Sequence, residues 1–192
     1  PLANIINNYG INKTNQIIQS INTLNTRVFI CQHIFVNKLH FKDTDMIFTP
    51  HSSTQDKFYT IPHFSVNYDK SKISKNKKHL FSFIGSTSTH AVRKQLVNLY
   101  DTCYDSNVHW GLDSNMSNEF NKKYIELLGK SKFTLCPRGT GISSVRLFES
   151  MAMSSFPIII ADNYDLPLKS EINWGKISIL VEEKNINNIH SI

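Results

Sequence analysis

The fold is decided by one stretch, FTLCPRGTGISSVRLFESM at residues 133–151. It opens with a β-prone segment, Phe133–Leu135, runs through a glycine-rich loop and ends in the 3.6-residue apolar periodicity of a helix. Ser143 or Ser144 is placed to cap that helix. A nearly continuous apolar run, Phe156–Ala161, follows, as expected of a strand buried on both faces. The stretch therefore predicts a strand, a loop, a helix and a second strand in succession.

The same alternation extends outward on both sides of this stretch. Alternating strands and helices predict an α/β fold, a Rossmann-like parallel sheet with helices on both faces. Ligands of such sheets bind beyond the carboxyl ends of the strands. The additional predicted elements are strands at Leu80–Ile84, Val108–Trp110 and Ile177–Val181 and helices at residues 90–100 and from Asn118 onward.

The first third of the chain gives a weaker α/β pattern. Residues 13–24 have the spacing of a short amphipathic helix, and three β-prone runs follow at Val28–Phe35, Met46–Thr49 and Tyr59–Ile61. This segment is too short for a complete domain of that type. We therefore expect residues 1–68 to be part of an N-terminal α/β region.

A basic segment separates the two regions. Five lysines fall between Lys70 and Lys78, and such a polar, like-charged run is typical of an exposed linker. Nucleic-acid binding is the alternative, but no aromatic residues interleave with these lysines to stack on bases. We therefore predict a basic linker at 69–78, followed by a Rossmann-like domain at 79–192, and expect no nucleic-acid partner.

Composition narrows the function only slightly. The chain of 192 residues is 40% hydrophobic and 19% charged, with a net charge of +6, so it can form a packed core. The positive charge favours an anionic partner, although lysine-rich coding bias explains it equally well. The three cysteines form no disulfide framework. Because the chain opens at Pro1 and its last residues resemble an unfinished helix, we expect a piece of a longer protein.

The loop after Phe133–Leu135 has the chemistry of a phosphate site. Gly139 and Gly141 permit close approach of a backbone to a ligand. The following helix offers free N–H groups around Ser143 and Ser144, and arginine side chains can bind phosphate oxygens through two donors at once. The arginines of this segment are Arg138 in the loop and Arg146 in the helix.

Glu149 lies one helical turn after Arg146 and could accept hydrogen bonds from a ribose diol. The alternative is that these two residues form a surface ion pair of little energetic value. The glycine-rich loop favours the functional interpretation. It is not a P-loop, because no Gly-Lys-Ser/Thr sequence follows.

Together these motifs resemble the exostosin family of glycosyltransferases. The family pattern has a Cys-Pro-x-Gly loop, an Arg-x-x-Glu helix, a Pro-Val-Ile strand, a Leu-Pro-Phe turn and a hydrophobic-x-Trp segment. This chain has the first two within 133–151, and Phe83-Ile-Gly85 with Arg93 resembles the start of the family's nucleotide-binding domain. The remaining three elements appear here as Phe156-Pro-Ile-Ile-Ile-Ala-Asp162, Leu166-Pro-Leu168 and Ile172-Asn-Trp174.

The resemblance implies the C-terminal half of a GT-B enzyme, in which two Rossmann-like domains face a cleft. By the same resemblance, residues 1–68 would belong to the acceptor side and residues 79–192 would form the donor nucleotide-sugar-binding domain. It further implies a nucleotide-sugar donor, typically a UDP-sugar, a glycan or glycoprotein acceptor, inversion at the anomeric carbon and no required cofactor. Arg138 and Arg146 would contact the phosphates, Glu149 the ribose, and Gly85 and Arg93 would lie beside the donor. Leu168 departs from the family's aromatic residue after Leu-Pro, and Met153-Ser154-Ser155 from its Gly-Cys turn.

The resemblance leaves several properties open. It is compatible with a Golgi or other membrane-associated location, with a cytoplasmic one, and with a homo- or hetero-dimer. A catalytically inactive partner or scaffold for another transferase is the main alternative to an enzyme.

An inverting transfer requires a base, and His51 and His63, which follow predicted strand ends, are the candidates. A purely structural role is the competing interpretation for each histidine. Asp43-Thr44-Asp45 matches the metal-binding Asp-x-Asp motif of the other major glycosyltransferase fold. Since it lies far from the phosphate loop in the sequence, we interpret it as a solvated turn and predict no metal site.

Overall fold

The computed structural model describes residues 2–22, 25–65, 68–106 and 118–191, with the side chains of 118 and 119 left out. The chain divides into two compact units, each built from separate segments. The first unit contains Pro1–His63, Gly141–Ser143 and Asn163–Ile172, and the second contains Phe64–Thr140, Ser144–Asp162 and Asn173–Ile192.

The second unit is built on a five-stranded parallel sheet with the strand order β5-β4-β6-β7-β8. Its longer strands contain the apolar runs seen in the sequence. The strands are β4 (His79–Gly85), β5 (Cys103–Asp105), β6 (Ser131–Pro137), β7 (Phe156–Ile160) and β8 (Ile179–Val181). The helices are α2 (Ala91–Leu99), α3 (Asn118–Lys130) and α4 (Arg146–Ala152).

Helices cover both faces of this sheet. Successive residues of a strand point to opposite faces, and Phe83 packs with Leu96 of α2 whereas its neighbour Ile84 packs with Tyr124 of α3. The predicted Rossmann-like α/β fold is therefore confirmed. Strand β5 was not predicted, because only the first of its three residues is buried. The predicted strand at Val108–Trp110 lies outside the described residues.

The first unit contains a smaller parallel sheet of three strands. These are β1 (Val28–Ile30), β2 (Met46–Thr49) and β3 (Tyr59–Thr60), in that order. Helix α1 (Leu2–Ser20) precedes them and is interrupted at Gly10, whose φ of 75° lies in the left-handed region. The helix thus begins upstream of the predicted residues 13–24. The predicted strand Val28–Phe35 is shorter than expected, because its pairing with β2 covers only Val28–Ile30.

The units differ from the three predicted segments: the second unit begins at Phe64, and Gly141–Ser143 and residues 163–172 belong to the first. Residues 163–172 belong to the first unit, because Asp165 accepts a 2.7 Å hydrogen bond from Thr60 and donates its backbone N–H to Ser52. The segment 69–78, predicted as a linker, is hydrogen bonded to the end of α3: the backbone N–H of Ser74 donates to the carbonyl of Gly129 at 3.0 Å. The placements of residues 163–172 and of residues 69–78 depend on contacts between residues distant in the sequence.

The Asp-x-Asp motif is only half solvated. The side chain of Asp43 is exposed, but that of Asp45 is buried in an ion pair with Arg27, whose Nε lies 2.7 Å from Asp45 Oδ1. Asp45 also accepts the backbone N–H of Lys42. The predicted solvated turn is therefore wrong for Asp45, which stabilises the first unit through a charge-assisted hydrogen bond.

Gly129 is expected to tolerate no larger residue. A Cβ atom there would overlap the carbonyl oxygen of Lys72 and lie 2.9 Å from its carbonyl carbon. Although alanine is the better helix former, we expect Gly129→Ala to lower the free energy of unfolding by about 1–3 kcal/mol, the typical cost of overpacking. Urea denaturation of the wild type and the variant would measure this change in the free energy of unfolding.

Gly175→Ala is the matched control, because its Cβ would meet no atom nearer than Asn173 Oδ1 at 3.5 Å. Equal stability of the two variants would contradict the close approach of the 69–78 segment to α3.

Candidate functional site

Two loops leave neighbouring strands at the carboxyl edge of the second unit's sheet. Strand β4 ends at Gly85 and β6 at Pro137, and the two strands are parallel neighbours. Because parallel strands end at the same edge, the loop after Gly85 and the loop after Pro137 emerge side by side. This edge is where the glycine-rich stretch was predicted to bind phosphate.

Arg93 of α2 donates hydrogen bonds to both of these loops. Its Nε donates to the carbonyl of Arg138 at 2.8 Å, Nη1 to that of Ser86 at 3.3 Å and Nη2 to that of Pro137 at 3.2 Å. Burial, followed by the nearby Arg146 guanidinium, lowers the pKa of Arg93 to about 9, so the side chain remains charged at neutral pH. Each guanidinium nitrogen thus binds a protein carbonyl, and Arg93 positions the loops.

Arg146 lies beneath the first loop and is 4% exposed. Its guanidinium stacks on the rings of Phe83 and Tyr124, with its Cζ 4.7 and 5.6 Å from the ring centroids, and Nη2 donates to the carbonyl of Ile84 at 2.7 Å. Among the described residues its Nε is a buried donor without a hydrogen-bond partner. A Cβ at Gly85 would lie 2.7 Å from Nη2, so glycine is required for this approach.

Glu149 is completely buried, with 0% exposure, and accepts a short hydrogen bond from the Tyr124 hydroxyl. The alternative of a surface ion pair with Arg146 is therefore wrong, since neither side chain is at the surface. In this structure the carboxylate reaches no solvent, so contact with a ribose would require it to be uncovered. Tyr124 donates this hydrogen bond, and no sequence motif singled it out.

Arg138 is the accessible arginine of the predicted phosphate site. Its side chain is 26% exposed, with Nη1 3.9 Å from Glu183 Oε1 and Nε 3.3 Å from the carbonyl of Gly139. The 3.9 Å separation makes the ion pair with Glu183 a loose one. Arg138 is thus placed to exchange a weak partner for a phosphate. A Cβ at Gly139 would lie 2.9 Å from Arg93 Nη2, so the loop packs closely on Arg93.

The predicted serine cap is wrong. Helix α4 has Val145 as its N-cap and no side-chain cap hydrogen bond. Ser144 contributes its carbonyl, which accepts the N–H of Leu147 at 3.1 Å. Ser143, together with Gly141, belongs to the first unit.

The first unit joins both candidate histidines through Ser143. Ser143 Oγ lies 2.8 Å from His51 Nδ1 and 2.7 Å from His63 Nε2, and the two rings meet edge to face with centroids 4.9 Å apart. Burial lowers the pKa of His51 to about 3 and that of His63 to about 4, so both are neutral at pH 7. The sequence named the residues but gave no signal for their contact, which spans 80 and 92 positions.

The whole sequence from residue 6 to residue 192 matches the Exostosin GT47 domain. The chain belongs to the exostosin GT47 family. This agrees with the five motifs of the sequence and with the parallel sheet of the second unit. In the turn before β7, where the family has Gly-Cys, Ser154 adopts a φ of 53°, a conformation that favours glycine. Serine therefore adopts a glycine-like backbone conformation at this departure from the family pattern.

Three exostosin GT47 relatives illustrate the extent of the similarity. A probable glycosyltransferase of Arabidopsis thaliana is 36% identical over 69 residues, or 36% of this chain and 15% of the relative. A probable glucuronoxylan glucuronosyltransferase of the same plant is 38% identical over 69 residues, which are 36% of this chain and 15% of the relative. Exostosin-1 of Drosophila melanogaster is 29% identical over 126 residues, 57% of this chain and 17% of the relative. The chain spans less than a fifth of the length of these relatives.

Two features are absent from the described residues, 2–22, 25–65, 68–106 and 118–191. None of the helices in those ranges is both long and apolar enough to cross a membrane. Over the same residues, no cluster of three or more His, Cys, Asp or Glu side chains is arranged to hold a metal ion.

Proposed function

We propose that this exostosin GT47 chain is part of a glycosyltransferase and binds a nucleotide-sugar, a UDP-sugar in particular, at the carboxyl edge of the second unit's sheet. The observation that carries the proposal is the pair of loops held by Arg93, with the exposed guanidinium of Arg138 beside them. The names of the relatives, which include glycosyltransferases and glucuronosyltransferases, support the same reaction class.

In this proposal the residues at the carboxyl edge of the second unit's sheet have different roles. Arg138 binds the diphosphate directly, because charge-assisted hydrogen bonds to phosphate are strong. Gly85 and Gly139 let the two loops pack closely on Arg146 and Arg93. Arg146 and Glu149 lie beneath the loops. Tyr124 would have to move before Arg146 could contact the phosphates and Glu149 the ribose.

The proposed reaction transfers the sugar to a glycan or glycoprotein acceptor with inversion at the anomeric carbon. Arginine, rather than a metal ion, offsets the charge of the leaving diphosphate. We accordingly expect UDP binding that is insensitive to EDTA. A membrane-associated site such as the Golgi, and a dimer, belong to the same proposal through the family resemblance.

Calorimetric titration with UDP and UMP tests the donor site. We expect Arg138→Ala to weaken UDP binding about 10-fold or more, the value of one charge-assisted hydrogen bond. UMP binding should change less, because its second phosphate is missing. Lys132→Ala is the control, since that exposed lysine lies at the opposite end of strand β6.

The outcomes separate the alternatives. If the wild-type protein does not bind UDP, or if Arg138→Ala binds it unchanged, the proposed donor site is wrong. UDP binding without transfer to any acceptor would favour the catalytically inactive partner. Binding to single-stranded nucleic acid that is lost when the lysines of residues 70–78 are neutralised would favour the nucleic-acid alternative.

A further inference from the structure

One carboxylate at the carboxyl edge of the second unit's sheet faces two N–H donors. Glu183 follows strand β8, and its Oε1 lies 3.9 Å from Nη1 of Arg138, in the loop after β6. Its Oε2 lies 3.8 Å from Nε2 of His90, the residue before α2. All three residues belong to the second unit. A guanidinium and an imidazole from two different loops therefore converge on the same carboxylate.

A backbone hydrogen bond fixes the proton of the His90 ring. The N–H of Val92 donates to His90 Nδ1 at 3.4 Å, so the imidazole caps helix α2. Because Nδ1 accepts, it has no proton, and the single ring proton is on Nε2. Burial lowers the pKa of His90 from its ordinary value, which agrees with a neutral ring. The Nε2–H is thus the group that faces Glu183.

Glu183 is held in this position by the loop after β7. Its backbone N–H donates to Oδ1 of Asp162 at 3.0 Å, and the N–H of Asp162 donates to Oε1 of Glu183 at 3.4 Å. The contacts with Arg138 and His90 are longer than a hydrogen bond, at 3.9 and 3.8 Å. The carboxylate is therefore oriented by Asp162 and only weakly bound by the two donors that it faces.

This cluster is accessible to a solute. The side chains of His90, Arg138 and Glu183 are 28%, 26% and 20% exposed, whereas Arg93 and Arg146 of the same unit are buried. A phosphate offers more negative charge and more acceptor oxygens than a carboxylate, and charge-assisted hydrogen bonds to it are strong. A phosphate can therefore replace Glu183 as the partner of both donors.

We propose that His90 and Arg138 form the phosphate-binding part of the donor site and that Glu183 blocks it until the diphosphate displaces the carboxylate. This inference rests on the proposed function, since the donor's diphosphate is the ligand. With the donor bound, phosphate oxygens accept the Nε2–H of His90 and an N–H of Arg138, and the Glu183 side chain turns aside. His90 is thereby a donor-binding residue, and Glu183 is a competitor within the protein.

The competition has a consequence of definite sign. When the binding-competent state of a protein is only partly populated, the apparent affinity for its ligand falls by that fraction. Removing the negative charge of Glu183 raises the fraction and also removes like-charge repulsion of the phosphates. A purely structural ion pair would behave in the opposite way, because its loss would disturb Arg138 and weaken donor binding.

Calorimetric titration of the full-length protein with UDP and with inorganic pyrophosphate tests the role of Glu183. We expect Glu183→Gln to tighten UDP binding by about 3-fold to 10-fold, the size expected from losing a weak ion pair and a like charge. Pyrophosphate, which lacks the nucleoside, should show the same gain. Glu182→Gln is the matched control, because that neighbouring glutamate is exposed and pairs with Lys184.

His90→Asn tests the second donor. Asparagine retains a side-chain acceptor for the N–H of Val92, so the cap of α2 survives, but its shorter side chain lacks the Nε2–H. We expect UDP binding to weaken by about 10-fold, the value of one hydrogen bond to a charged group. In this background Glu183→Gln should give a smaller gain than in the wild type, because one of the two donors is missing. His79→Asn, at the opposite end of β4, is the control.

Three outcomes overturn the assignment while the wild-type protein still binds UDP. They are unchanged UDP binding in Glu183→Gln or in His90→Asn, weaker binding in Glu183→Gln, and a gain for UDP that inorganic pyrophosphate does not share. If neither the wild type nor Glu183→Gln binds UDP, the proposed function is refuted instead. The two failures are therefore distinguishable.

Discussion

Acidification from pH 7 to pH 4 is expected to lower the free energy of unfolding by about 3–6 kcal/mol through His51 and His63 alone. Burial lowers the pKa of these rings from 6.5 to about 3 and about 4 in the folded protein. Between pH 6.5 and 4 the unfolded chain therefore binds more protons than the folded one. The contribution is complete above pH 6.5 and is lost as the pH falls.

Urea denaturation at intervals from pH 7 to pH 4 measures this effect. Carboxylates also titrate near pH 4, so the difference between wild type and the double variant His51→Asn, His63→Asn isolates the histidines. We expect that variant to have a much shallower pH dependence, whatever its stability at pH 7. His40→Asn, at an exposed ring, should keep the wild-type slope, and equal slopes for all three proteins would contradict the burial of the pair.

Arg93→Ala is expected to lower the free energy of unfolding by about 3–5 kcal/mol. The substitution leaves the carbonyls of Ser86, Pro137 and Arg138 without their shared charged donor. Hydrogen bonds to a charged group contribute more than neutral ones, and buried acceptors left without partners carry a desolvation penalty. The two loops of the candidate donor site would lose the side chain that holds them to each other.

Chemical denaturation and UDP titration of the same variant give two readouts. Lys94→Ala, at the exposed next residue of α2, should change the stability by less than about 0.5 kcal/mol. Arg93→Lys keeps the charge but cannot reach three carbonyls, so we expect an intermediate loss. A loss of less than about 1 kcal/mol in Arg93→Ala would mean that the loops are held by other contacts.

Much of the second unit could be predicted from sequence because its signals are local. The apolar run before Gly85 and the periodicity of residues 90–100 depend only on neighbouring residues, and both became the expected elements. Strand β2 was predicted at its observed bounds for the same reason. Strand β5 was missed because three residues with one buried side chain form a strand only by pairing with β4.

The candidate site was predicted only in part. The sequence identified Arg93, Arg138, Arg146 and Glu149 as one group, and the structure places all of them in the second unit. It could not tell which of them are buried, because burial depends on Phe83 and Tyr124 from other elements. The serine cap failed for a related reason: Ser143 Oγ is engaged by His51 and His63, partners at a distance in the chain.

The sequence by itself determined the alternation of strands and helices, the glycine-rich turn after β6 and the family, because each depends on residue types at short and fixed spacings. Only the tertiary structure decided which arginine is exposed, which carboxylate is buried and that two histidines share one serine. Those properties come from contacts between residues that lie 25 to 92 positions apart in the chain. Periodicity and motif spacing carry no information about such distances.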